Sequence, residues 1–332
     1  MIAAKSDILI LGAGVIGLAL GLELRKRGFR VDVFDSRTPL AGASTAAAGM
    51  LAVEDPHNPA ELLPFSRLSG SLYPSFLTLV KELSGTEVPF QTKTTVQYMP
   101  DGTRHILQEH SIDPRQLAPA LLLAALNSGV RLLSEEPDQP SETVIHTTGA
   151  WGAEGLPVTP RKGQMLRVQV PPGMRLEQVH RSEHVYVVPR SQGPQAGTAL
   201  IGATVEDAGF DLKTSPEALA GLRRKGAALV PELAEERSAP ALEAWAGLRP
   251  ATPDDLPLLG AWEDPPHASL GQRRFIATGH FRNGILLAPA TAVLMADLIE
   301  GRSGPVSLGP FDPRRFDPSR FAPSRFGTPR AR

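Results

Sequence analysis

The sequence predicts an α/β protein in which a parallel sheet with helices packed on it is joined to a second domain built on a mainly antiparallel sheet. Three observations carry this prediction. A short apolar run, Asp7 to Leu11, leads straight into a glycine-rich turn, a helix-periodic stretch and a second apolar run that ends in an acid at Asp35. Segments rich in β-branched and aromatic residues, Thr94 to Tyr98, Val185 to Pro189 and Leu200 to Val205, recur through the middle of the chain. At 332 residues the chain is too long for one small core and too short for three ordinary domains.

The first run has no polar alternation, as suits a parallel strand buried on both faces. Gly12-Ala13-Gly14-Val15-Ile16-Gly17 follows at once, and Val15, Leu18, Ala19 and Leu22 keep helical spacing until Gly28 stops the helix. The second strand, Arg30 to Phe34, delivers Asp35 and Ser36. In such a G-x-G-x-x-G turn Gly12 permits a tight bend, Gly14 lets the backbone of Val15 and Ile16 approach a diphosphate, and Gly17 lets helix pack on strand. The helix N-terminus then offers unpaired N–H groups and a positive dipole end, while Asp35 can accept from a ribose hydroxyl. The strand before, helix after and acid at the right offset make this a Rossmann-like dinucleotide site. Taken alone, the fingerprint leaves NAD and FAD open.

Composition narrows the partners. Lys and Arg number 34 against 35 Asp and Glu, so no global field argues for nucleic acid or an anionic membrane. Cysteine is absent, which removes thiolate metal sites, a cysteine nucleophile and a cysteine-linked flavin. No histidine spacing or carboxylate cage suggests a metal. The uncharged stretch from Ile8 to Leu22 spans 15 residues and falls short of the ~20 that cross a bilayer. A cytoplasmic protein with a small-molecule substrate is the resulting expectation.

After the second strand comes Gly42-Ala43-Ser44-Thr45-Ala46-Ala47-Ala48-Gly49-Met50, which needs too little side chain to be a core helix. Small residues let backbone amides press against a flat cofactor. This run resembles the G-x-S-x-x-A-A-G-M segment of the D-amino acid oxidase superfamily. Four further segments are similar to that family's motifs: Ile145 to Trp151, Arg161-Lys162-Gly163-Gln164, Ala246 to Asp254, and Thr278 to Pro289, which reads T-G-H-F-R-N-G-I-L-L-A-P. The last most resembles the glycine oxidases associated with thiamine biosynthesis. One departure stands out: only Ser134 to Glu142 separates two strands between which the family carries a longer stranded insertion, and this bears on how tightly the adenine half is backed.

The resemblance implies a non-covalent FAD held by Gly12, Gly14, Val15, Ile16, Gly17, Asp35, Ser36, Ser44, Ala47, Ala48, Gly49, Met50, Thr148, Gly149, Trp151, Gly163, Gln164, Arg282, Asn283, Gly284, Ile285 and Leu286. It implies a discontinuous FAD-binding domain of residues 1–55, 112–160 and 246–308 and a substrate domain of 56–111 and 161–245. A final helix is expected from Ala290 to about Glu300. Residues 309–332, with Phe311, Phe316, Phe321 and Phe326 at five-residue intervals, are expected to form a poorly ordered tail whose first copy alone packs on the body.

Flavin carries the chemistry of amine oxidation, so the protein has to aim the substrate. An amino acid needs a cation for its carboxylate and a donor beside it. Arg249 is the expected carboxylate partner, with Tyr186 donating to the same group, Arg282 over substrate and flavin, Met50 bordering the pocket and His184 beside Tyr186 on one strand face. A core tyrosine and a structural arginine are the competing readings. The implied reaction takes glycine and O2 to the imine or glyoxylate and H2O2, with the imine handed to thiazole synthesis, and a homo-oligomer is among the partner expectations. An oxidase or dehydrogenase of a larger amine (a D-amino acid or sarcosine) and a non-catalytic dinucleotide-binding module are the alternatives.

Overall fold

The computed structural model describes residues 6–137, 141–152, 156–262 and 272–316. Along the chain the elements are β1 (Ile8–Leu11), α1 (Val15–Lys26), β2 (Val31–Phe34), α2 (Ala43–Ala46), α3 (Leu62–Ser84), β3 (Thr95–Tyr98) and β4 (Arg104–Leu107). There follow α4 (Pro114–Asn127), β5 (Arg131–Leu133), β6 (Thr143–His146), β7 (Thr159–Gln169), β8 (Val179–Arg181), β9 (Tyr186–Arg190) and β10 (Thr198–Gly202). The last are α5 (Pro216–Leu229), β11 (Ala241–Ala251), β12 (Leu258–Ala261), β13 (Arg273–Thr278) and α6 (Gly284–Ile299).

Two sheets organise these elements, and the α/β expectation holds. One has the order β12-β13-β6-β1-β2-β5 and is parallel except at β12. The other runs β11-β7-β10-β9-β8-β3-β4 and is antiparallel except where β3 meets β8. Ile8, Leu9 and Ile10 are buried, as a central parallel strand requires. α1 lies on that sheet between α4 and α6, and its first turn holds no acid. A Cβ at Gly17 would stand 2.0 Å from the carbonyl oxygen of Gly12, so only glycine lets the helix sit this close to the turn. Arg27 then ties the far end of α1 to α6 through Asp297 at 2.7 Å and Glu300 at 2.5 Å.

The structure corrects three boundaries read from the sequence. α3, expected in the substrate domain, buries Phe65, Tyr73, Leu77 and Val80 in the same core as α4 and α6. These apolar positions fall on one helical face, which finds its partner on the first sheet's helical layer. The expected break at 246 falls within β11, whose pairing with β7 continues from Ala241 to Ala251, and the one at 160 falls within β7. Residues 309–316 pack on the body, as expected of the first copy of the tail repeat: Phe311 is fully buried, 5.3 Å from the ring of Phe65, and Arg315 pairs with Asp254 at 2.8 Å. The later tail copies lie outside the described residues.

α6 begins six residues before the expected start at Ala290, with Pro289 inside it. Proline brings no N–H to the Ile285 carbonyl one turn earlier. That carbonyl instead accepts from the Tyr73 hydroxyl at 2.5 Å. The Ser69 hydroxyl donates to the Leu286 carbonyl at 2.6 Å and accepts from the Ala290 N–H at 3.2 Å. Side chains of α3 thus satisfy the backbone that Pro289 leaves open, and the helix can start at the cavity. Tyr73→Phe leaves the buried Ile285 carbonyl unpaired and is expected to cost about 1–3 kcal/mol in urea unfolding; a change within ~0.3 kcal/mol would show that the bond does not support α6.

Candidate active site

A single cavity of about 880 Å3 runs from the N-terminus of α1 to the inner face of the second sheet. That is within the ~300–1,000 Å3 of small-molecule and cofactor sites. Its nucleotide end is built by the β1–α1 turn. Gly12 takes a φ of +111°, and a Cβ there would meet the Thr147 carbonyl oxygen at 2.6 Å. The Ser44 hydroxyl accepts from the Val15 N–H at 2.9 Å, pinning the small-residue run against the first turn of α1. Asp35 lines the cavity and accepts from the N–H groups of Ala13 at 2.8 Å and Arg37 at 3.0 Å, so its carboxylate also braces the turn. Arg37, absent from the sequence reading, lies 3.2 Å over the Trp151 ring.

The run from Gly42 to Met50 is squeezed from both sides. A Cβ on Gly49 would stand 2.1 Å from the Ile112 carbonyl oxygen, and one on Gly247 2.5 Å from Ala46 Cβ. Trp245 Nε1 donates to the Ala46 carbonyl at 3.0 Å and Arg190 Nη2 to that of Ala48 at 2.9 Å, so the second sheet holds the run by its backbone. Only small residues fit between these walls.

At the sheet end, Arg249 extends from β11 across Gly163 of β7, whose Cβ would fall 2.3 Å from the guanidinium. Its Nη1 donates to the Thr204 carbonyl at 3.0 Å. Among the described residues it forms no ion pair. Tyr186 sits beside it on β9, its hydroxyl 3.2 Å from Met165 Sδ. Burial pushes the Tyr186 phenol above its ordinary range, against the pull of the Arg249 charge, so it is a protonated donor. Met50 packs with Met165, Tyr186 and Trp245. Phe281, at a φ of +45°, donates its N–H to the Pro250 carbonyl at 2.8 Å and so couples the Arg249 strand to the Arg282 turn. Arg282 is exposed and donates through Nη2 to the His57 carbonyl at 2.6 Å. His280 is wholly buried under α6, 3.0 Å from Thr291 Oγ1, and burial depresses its pKa to about 3.

The cavity gathers most of the expected residues but not Gly17, Gln164 or Leu286. Gly17 acts in helix packing. Gln164 points to the far face of its strand, where Nε2 donates to Glu206 at 2.9 Å and Oε1 accepts from the Ser215 N–H at 2.7 Å. Strand alternation puts Gly163 and Met165 on the cavity side and Gln164 opposite. Leu286 turns into the core. His184 is not on the Tyr186 strand: it lies in the turn before β9, with its side chain 71% exposed beside Glu183 at the cavity mouth. Sequence reasoning missed Arg181, Asp55, His57 and Met165, all on the wall.

A family model described as FAD dependent oxidoreductase matches residues 7–109 and 100–298. The chain belongs to this family. A bifunctional protein ThiO/ThiG of Trichormus variabilis is 34% identical over 90% of the chain and 54% of the relative, so the chain spans about half the length of that relative. A glycine oxidase of Geobacillus kaustophilus is 31% identical over 92% of the chain and 96% of its own. The crystal structure of glycine oxidase from that organism superposes with a TM-score of 0.82 at 29% identity, covering 92% and 98% of the two chains.

FAD is the cofactor of this family, and the residues fit it. The α1 dipole, without an acid in its first turn, faces the diphosphate position, and the Gly42 to Met50 run leaves the backbone open to a flat ring. Thr148 Oγ1 is buried on the cavity wall with no hydrogen-bond partner among the described residues. The turn at Asn283 and Gly284 then opens α6 toward the same space.

The buried imidazole of His280 gives a pH test. Its folded pKa lies below the ordinary 6.5, so its contribution is complete above that value and is lost as pH falls toward about 3. His280→Gln, which can still hydrogen-bond Thr291, is expected to flatten the stability profile by up to ~1.4 kcal/mol per pH unit below 6.5. Parallel profiles for the two proteins would contradict a neutral buried His280.

Proposed function

We propose that the chain is an amino acid oxidase that removes two electrons from the carbon–nitrogen bond of a small amino acid, glycine foremost. The observation that carries this reading is Arg249, a guanidinium with no ion pair among the described residues, placed beside a protonated Tyr186 in the cavity that fits the cofactor. A planar fork suits a carboxylate, and charge-assisted bonds of this kind are stronger than neutral ones. Met50 and Met165 surround the remaining space with apolar surface, which suits a small substrate turned to present Cα. FAD, when bound, would supply the two-electron acceptor for the carbon–nitrogen bond, with O2 as the expected final acceptor and H2O2 as its product. The residues at this end bind and orient. The imine product hydrolyses to glyoxylate and ammonia or serves thiamine thiazole formation, the role that the resemblance to ThiO-type relatives suggests.

The test is anaerobic reduction of the visible flavin band by glycine, sarcosine and D-alanine in parallel, followed by air. Glycine is expected to bleach the protein with the highest kcat/KM, and air to restore colour with release of peroxide. A flavoprotein bleached by D-alanine but not glycine would move the assignment to a larger amine.

A further inference from the structure

The cavity wall next to Tyr186 carries a charge arrangement that amine oxidation does not require. Arg181 ends β8 directly across from Tyr186, and its side chain is almost wholly buried. Its Nε donates to Gln97 Oε1 at 2.6 Å, and its Nη1 lies 3.1 Å from Glu109 Oε2. The other oxygen of Glu109 accepts from the Glu54 N–H at 2.8 Å, which fastens the loop after the small-residue run to Arg181.

Asp55 is the next residue in that loop, and its side chain lines the cavity with 8% exposure. It accepts from the His57 N–H at 3.0 Å and stands 3.1 Å from His57 Nδ1. The His57 carbonyl in turn receives Arg282, and Asn58 pairs with Asn283 at 3.0 Å. One loop therefore sets an anion near two cations of the substrate end. Burial alone would raise the Asp55 carboxyl, but the charge of Arg181, the His57 bonds and the charge of Arg282 hold it below the usual range, so it is ionised at neutral pH.

At this end Arg181 faces Glu109 and Asp55, Arg282 faces Asp55 and Asp255, and Arg249 forms no ion pair among the described residues. Glu183 and Lys225 at the mouth are exposed and opposite in sign. Arg249 is thus the guanidinium left for one substrate carboxylate.

We propose that Asp55 is a specificity-determining residue that admits amino acids bearing a single carboxylate and rejects amines that carry a second. This rests on the amino acid oxidase reading. A second carboxylate in the cavity would meet the Asp55 anion, while the Arg181 charge is already offset by Glu109 at 3.1 Å, and such like-charge contact is a strong means of rejecting a competing ligand. An apolar substituent of the same size meets no such charge.

The test compares the FAD-loaded wild type with Asp55→Asn and Asp55→Glu. Asn can keep the bond to the His57 N–H while removing the charge; Glu keeps the charge. Sarcosine and iminodiacetate are compared as substrates, and acetate and malonate as ligands through perturbation of the visible band. The wild type is expected to favour sarcosine and acetate. Asp55→Asn is expected to raise the iminodiacetate-to-sarcosine ratio of kcat/KM, and the malonate-to-acetate affinity ratio, at least ~10-fold, with Asp55→Glu staying near wild type. Unchanged ratios in Asp55→Asn, or equal relaxation in Asp55→Glu, would overturn the proposal. If no amine is turned over, the oxidase reading fails, and the acetate and malonate ratios still decide the role of Asp55.

Discussion

The site depends on one guanidinium held in place by backbone rather than by a carboxylate. Arg249 lies across Gly163 and donates to the Thr204 carbonyl, so its position is set while its charge stays available. Had a protein carboxylate occupied that position, the substrate carboxylate proposed to bind there would have to displace it, and much of the gain from a charge-assisted bond would vanish. The glycine beneath it is required for the same reason: any side chain at position 163 would occupy the space of the guanidinium. The long pairing of β7 with β11 brings these residues together.

The cofactor end rests on a different constraint, close approach of backbone. Gly12, Gly17, Gly49 and Gly247 each stand where a Cβ would collide with a backbone or side-chain atom closer than 3.0 Å. The small-residue run is held by Trp245 and Arg190 from the second sheet, so the two sheets are joined through the cavity wall itself. Below it, α6 can open at Gly284 because α3 supplies hydrogen bonds that Pro289 withholds. Packing far from the chemistry thereby sets where the helix dipole points.

What was legible in the sequence was whatever local geometry demands of local residues. The β1–α1 turn could be read because a tight bend, a close approach and a close packing each call for glycine. The small-residue run could be read because nothing else explains its lack of side chains. Arg249, Tyr186 and Met50 came through the family resemblance, and they meet at one end of the cavity. Arg181 was silent because its meaning lies in Gln97 and Glu109, which are distant in sequence and adjacent only across strands. Gln164 was misplaced because a contiguous motif was taken as facing one way, although strand alternation turns every second residue aside. The start of α6 was misjudged because Pro289 is a helix breaker only when no neighbour satisfies the carbonyl it orphans.

The most direct test of the account is kcat/KM for glycine in Arg249→Met and Arg249→Lys beside the wild type. Loss of the fork in Arg249→Met is expected to cost ~2–5 kcal/mol of transition-state binding, with Arg249→Lys intermediate because it keeps charge without bidentate geometry. Glycine oxidation within ~3-fold of wild type in Arg249→Met would contradict the claim that this guanidinium receives the substrate carboxylate.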